Sequence, residues 1–96
     1  MIKYLEVIKK SIKKGQLPKE IFILFNNAFL SIDLTKDLNL FDIKELKEDK
    51  KVQRKYYRIR KGKYRAIFYI EKEDIFVITI DKREEVYKKW QWSQFD

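Results

Sequence analysis

Three strand-like runs joined by two short polar turns set the tightest limit on how this 96-residue chain can fold. Residues 54–61 alternate in character, Lys61-Gly62 supplies a tight turn, and KYRAIFYI follows at 63–70. A polar turn, EKED at 71–74, then leads into IFVITI at 75–80. Runs rich in β-branched and aromatic residues at this spacing predict a three-stranded antiparallel meander. The third run is apolar throughout, as expected of a strand covered on both faces. Side chains alternate across a strand, so the pattern also assigns faces. Tyr57 and Ile59 point one way with Ala66, Phe68 and Ile70, whereas Arg58, Arg60, Arg65, Ile67 and Tyr69 point the other.

The first half reads differently. IKYLEV at 2–7 has the composition of a short strand, and residues 8–14 form a short helical piece that ends at Gly15. Pro18 and Glu20 suit the opening turn of a second helix. Over 19–31 the apolar positions 21, 24, 25, 28 and 29 carry helical spacing, and Phe22 and Ile23 imply burial on more than one side. Between 33 and 49, Leu38, Leu40, Phe41, Ile43 and Leu46 show no clean period and read as a loop followed by a short strand or turn. The tail from Asp81 reads as a short helix. The expected class is therefore α+β in a single domain over 1–96. An N-terminal strand and two helices pack on a curved antiparallel sheet, with a C-terminal three-stranded meander and a short terminal helix.

Charge is concentrated in one place. KKVQRKYYRIRKGKYR, residues 50–65, holds nine Lys or Arg and no Asp or Glu. The whole chain has 23 basic and 15 acidic residues, so the remainder is close to neutral and the net charge of +8 belongs to this block. A basic block woven into strands points to a polyanion partner. Arg58, Arg60 and Arg65 converge on one face of the first hairpin, and like charges that close cost energy unless an anion lies among them. Lys50, Lys51, Arg54, Lys55, Lys61 and Lys63 extend the block as RNA-contacting candidates. Lys9, Lys10, Lys13 and Lys14 read as the wet face of the first helix. There is no cysteine, which excludes disulfides and thiolate metal sites, and no histidine, the usual proton shuttle near neutral pH. No metal and no cofactor is expected. No apolar run is long enough for a membrane helix, no signal-peptide order opens the chain, and a cytoplasmic location is expected.

In DIKELK at 42–47, YYRIRKGKYRAIFYI at 56–70, IFVITI at 75–80 and KREEVY at 82–87, the chain resembles toxins of the RelE/ParE superfamily. That resemblance implies a RelE-like fold and the toxin half of a type II toxin–antitoxin pair. It implies an endoribonuclease that cuts messenger RNA in the ribosomal A site, with a cognate antitoxin, mRNA and ribosomal RNA as partners. In that chemistry the 2′-hydroxyl attacks its neighbouring phosphate, giving a 2′,3′-cyclic phosphate and a 5′-hydroxyl. The resemblance assigns the catalytic set to Arg58, Arg60, Arg65, Arg83 and Tyr87. RelE itself carries lysines where this chain has Arg58 and Arg60, and a guanidinium cannot serve as a general base. Proton transfer would then fall to Tyr87, to Lys61 or Lys63, or to the ribosome.

Two other readings share the fold: a ParE-like inhibitor of DNA gyrase, and an RNA- or ribosome-binding relative whose catalytic set has decayed. Structural roles also compete at single residues. Arg83 suits a surface ion pair, Tyr87 a helix-face aromatic, and Tyr69, Trp90 and Trp92 either stack an RNA base or cover a core edge.

Overall fold

The computed structural model describes residues 1–46 and 53–90, apart from the side chains of Tyr87, Lys89 and Trp90. The elements run β1 (Ile2–Tyr4), α1 (Glu6–Lys13), α2 (Lys19–Thr35), β2 (Ile43–Glu45), β3 (Tyr57–Lys61), β4 (Tyr64–Glu71), β5 (Asp74–Lys82) and α3 (Arg83–Trp90). A single 3-10 turn, Leu38–Leu40, lies between α2 and β2. The five strands form one sheet in the order β1-β5-β4-β3-β2. Each of β2 to β5 runs antiparallel to its neighbour, while β1 joins the far side by pairing parallel with β5. This is the α+β arrangement read from the sequence. No described helix is long and apolar enough to cross a membrane.

Both hairpin loops have two residues, because Lys61 pairs with Tyr64 and Glu71 with Asp74. In the first, Gly62 takes φ 61°, glycine leading as type II′ hairpin turns prefer. In the second, Lys72 and Glu73 adopt φ 51° and 73°, left-handed values reached without a glycine. Helix α1 ends as expected, with Gly15 at φ 75° donating its N–H to Ile12 O at 3.1 Å.

Helix α2 runs one turn beyond the predicted 19–31. Ile32 continues the buried stripe, and Lys36 in a left-handed cap donates its N–H to Ile32 O at 2.7 Å. Its buried face, Phe25, Ala28, Phe29 and Ile32, packs on Ile59, Ala66, Phe68, Ile75, Val77 and Ile80 of the sheet. Phe29 meets Phe68 edge-on at 5.2 Å between ring centres. Tyr4 of β1 is tied to the same helix, its hydroxyl donating to Asn26 at 2.7 Å.

The opposite face of the sheet carries a second, smaller core. Ile67, Ile78, Leu46 and Tyr56 pack there beneath Val86 of α3. A register shift in the β4–β5 ladder creates room for it: Ile67 pairs with Thr79 but Phe68 with Val77, leaving Ile78 as the extra residue. The alternation read from the sequence thus assigned Arg58, Arg60 and Arg65 to the face away from α1 and α2, and they lie there. That face is not open along its length, since α3 covers its middle.

Candidate functional site

Arg60 on β3 stands directly opposite Arg65 on β4, and Arg65 stands opposite Asp81 on β5. Arg58 lies two residues before Arg60, opposite Ile67. Arg58 and Arg65 are buried, at 5% and 6% exposure, which a solvated strand cation would not be. The Arg65 guanidinium donates from Nη1 to the carbonyls of Gly62 at 2.9 Å and Tyr64 at 3.1 Å, so it clamps the β3–β4 turn.

Much of the basic block is neutralised by the chain itself. Asp42, just ahead of β2, receives Arg58 Nη1 at 3.3 Å on its carboxylate and also binds Arg60 through Nε and Nη2. Arg54 pairs with Glu71 at 3.3 Å, and Lys55 with Glu45 at 3.4 Å. The carboxylates come from segments that the sequence reading left near neutral. The charge therefore contracts towards the turn end of the hairpin. Lys50, Lys51, the Tyr87 side chain and Trp92 lie outside the described residues, and so does the Trp90 side chain.

At that end lies a cleft of about 500 Å³ lined by Gly62, Lys63, Arg65, Lys82, Arg83 and Glu84. Two local facts assemble it. The β3–β4 turn carries Lys63 and Arg65, and the β5–α3 junction carries Lys82 and Arg83. The Arg83 N–H donates to Lys63 O at 3.1 Å, stitching the two segments together. Arg65, Arg83 and Lys63 of the sequence-derived set thus meet, whereas Arg58 and Arg60 converge on Asp42 instead. A second groove, about 530 Å³, runs along the other side of the same turn and is lined by Ile21, Leu24, Arg60, Lys61, Lys63 and Tyr64 among others. Lys61 also lies 5.0 Å from the ring centre of Phe41.

Three positions of the candidate site are not in the set that the sequence suggests. Lys82 and Glu84 line the cleft, and their nearness in sequence to Arg83 was the available signal. Asp42 gave no local signal, because its contacts lie 16 and 18 residues away. Partial burial pushes the Asp42 carboxyl up, but hydrogen bonds and charge from Arg58 and Arg60 outweigh this and hold it below the usual carboxylate range. Tyr69 is unsuited to base stacking in this arrangement. One ring face carries the Arg54 guanidinium at 4.0 Å and the other stacks on Phe76 at 4.8 Å.

The chain aligns with the crystal structure of a RelB–RelE antitoxin–toxin complex from Methanococcus jannaschii at a TM-score of 0.69 and 24% identity, covering 92% of this chain and 98% of that one. The archaeal RelE–RelB complex from Pyrococcus horikoshii OT3 aligns at a TM-score of 0.60 and 22% identity, covering 85% of this chain and 92% of that one. The fold is RelE-like. No protein-family model and no curated protein matches the sequence. At these identities the likeness establishes the RelE-like architecture, and the site rests on this chain's own residues.

Proposed function

We propose that this chain is the toxin of a type II toxin–antitoxin module and an endoribonuclease acting on mRNA in the ribosomal A site. The observation that carries the proposal is the cleft uniting Lys63, Arg65, Lys82 and Arg83 at the turn end of a RelE-like sheet. Both structural neighbours are complexes of RelE with RelB, which supports a cognate antitoxin as partner.

A phosphate seated in the cleft meets cations from two separate chain segments. When the 2′-oxygen bonds to phosphorus, the phosphorane gains negative charge, and preformed guanidinium and ammonium groups stabilise it more than the ground state. Arg65 is suited to this because its bonds to the Gly62 and Tyr64 carbonyls fix its plane before substrate arrives. The bond from phosphorus to the 5′-oxygen then breaks, and that oxygen takes a proton from the Lys63 ammonium or from water. Arginine cannot accept the 2′-hydroxyl proton. Glu84 in the cleft wall, Tyr87 or Lys61 in the deprotonated form, and the ribosome are the acceptors to be separated, with Lys63 kept as an ammonium in the cleft. Without histidine, positioning and electrostatics carry more of the rate than acid–base chemistry does.

Primer extension on mRNA bound to 70S ribosomes, with wild type, Arg65→Ala and Arg65→Lys, tests the proposal. The wild type should give a new stop inside the A-site codon, and Arg65→Ala should lose at least about 100-fold of it. Because Arg65 also clamps the turn, each variant's melting transition is recorded alongside. Absence of cleavage by folded wild type would sink the nuclease reading. Inhibition of gyrase supercoiling, with messages intact in cells, would put a gyrase inhibitor in its place.

A further inference from the structure

The Asp42 carboxylate sits between two arginines in the geometry that a phosphate would take. Arg58 Nη1 reaches both its backbone oxygen and its Oδ1 at 3.3 Å, while Arg60 grips Oδ2 through Nε and Nη2. Two guanidiniums thus share one carboxylate, Arg60 through both nitrogens on one oxygen and Arg58 on the other, and arginine holds carboxylate and phosphate through the same N–H donors. The exposures are unequal. The side chains of Asp42 and Arg60 are 44% and 48% exposed, and that of Arg58 only 6%. Solvent therefore reaches the carboxylate and its outer arginine, with the inner arginine buried behind them.

We propose that Asp42 is a built-in competitor: its carboxylate occupies the phosphate subsite that the resemblance gives Arg58 and Arg60, until the RNA backbone displaces it. Asp42 is then a positioning residue, which keeps the two arginines aligned and sets the affinity of this face. The proposal rests on the nuclease reading only in taking RNA as the polyanion. Displacement requires rotation of one side chain. The backbone at Asp42 stays fixed, because the Arg60 N–H donates to Asp42 O at 3.0 Å. The subsite lies on β3 and the segment ahead of β2 and the cleft on β4 and β5, adjacent strand pairs of one sheet, so at roughly 5 Å per strand the two are about 10 Å apart. Nearby phosphates of one RNA strand can therefore fall in the two places. An anion built into the chain also answers part of the repulsion expected between Arg58 and Arg60, because the single Asp42 carboxylate offsets one of their two positive charges before any ligand arrives.

The test is binding of a fluorescent 2′-O-methyl RNA octamer, which cannot be cut by 2′-hydroxyl attack, measured by anisotropy over a salt series. Wild type, Asp42→Asn, Arg60→Ala and the double variant are compared. Asp42→Asn keeps an oxygen acceptor and the shape of the side chain while removing its charge. It should bind about 10-fold tighter, with a log–log salt slope steeper by roughly 0.7 for each additional phosphate that the protein neutralises. Arg60→Ala should cost little in the wild type and several-fold more in the Asp42→Asn background. This non-additivity separates a shared subsite from a simple change in net charge. Unchanged or weaker binding by Asp42→Asn with a wild-type melting transition would overturn the subsite and leave Asp42 a structural ion pair. Tighter binding that is independent of Arg60 would overturn it as well. The nuclease reading is scored separately by Arg65-dependent cleavage on ribosomes, so cleavage without tighter binding by Asp42→Asn removes only the subsite. Tighter binding without cleavage removes only the nuclease, and no RNA binding by any variant removes both.

Discussion

On the helix side of the sheet, Phe25, Phe29 and Phe68 are fully enclosed with nine further buried residues, and no charged group is among them. On the other side five buried residues suffice, Leu46, Tyr56, Ile67, Ile78 and Val86, and the buried cations Arg58 and Arg65 lie on the same face. The larger core contains α2 and residues of β3, β4 and β5, so it holds the scaffold together. The smaller one docks α3, whose first residue, Arg83, reaches the cleft. Stability and site are thus divided between the faces of one sheet. Burying arginine is costly unless every donor is met, and here the turn carbonyls and Asp42 supply acceptors. The site face tolerates a thin apolar core because the helix face supplies the bulk of the burial.

Substitutions on the two faces should separate these roles, and the largest effect belongs to the helix side. Phe29→Ala removes a ring with 0% exposure that touches Phe68 and should cost about 3–5 kcal/mol of unfolding free energy. For a chain of this size that is a large share of the total, so growth inhibition should fall with the folded fraction. Urea denaturation checks it, and a loss under about 1 kcal/mol would break the division. On the site face, Val86→Ala deletes two methyl groups from an enclosed position and should cost about 2 kcal/mol. Here RNA binding by the folded fraction should weaken too, because loosening α3 moves Arg83 relative to Lys63. Unaltered binding would mean that the cleft is held by the Arg83–Lys63 backbone bond alone.

The same division explains what the sequence could show. Strands β3 to β5 were legible because their alternation and turns are local, and alternation fixed the faces of Arg58, Arg60 and Arg65. The meander positions in the helix-side core were legible for the same reason. Strand β2 was legible only as a short strand or turn somewhere in 33–49, since three residues at a sheet edge carry no period and exist through pairing with β3. The parallel pairing of β1 with β5 joins segments more than seventy residues apart in number, beyond any local pattern. At the site, Arg65 and Arg83 were readable from the meander and the resemblance. The pairing of Arg54, Lys55, Arg58 and Arg60 with three carboxylates was not, because Glu71, Glu45 and Asp42 reach them only through the sheet.

A smaller effect, of opposite sign, tests whether the strained end of the sheet belongs to fold or function. The β4–β5 loop holds Lys72 and Glu73 at positive φ, which costs a side-chain-bearing residue roughly 1 kcal/mol. It lies at the far end of both strands from the cleft. Replacing the pair by Asn-Gly, the type I′ preference, should stabilise the protein by about 0.5–1 kcal/mol and leave RNA cleavage unchanged. Reduced cleavage by a stabilised variant would show that this end takes part in function after all.

The smallest effect is electrostatic and isolates Asp42 from both cores. Its carboxyl is held below the ordinary value by Arg58 and Arg60, so the folded state keeps it ionised at pH values where the unfolded chain begins to protonate. A depressed folded-state pKa gives stability that is full above the unfolded value, near 4, and is lost as pH falls through the folded value. With the Asp42 side chain 44% exposed, solvent screening limits this share to below about 1 kcal/mol. Asp33 and Asp74 are depressed as well, by the N-terminal ammonium above all, so the wild-type curve alone cannot assign the loss. The difference between wild type and Asp42→Asn can. It should be constant from pH 7 to about 5 and narrow below about 4, where the wild type loses a contribution the variant never had. A difference that widens in acid would mean that Asp42 is destabilised by burial more than it is held by its arginines, and the site face would then lack its built-in anion.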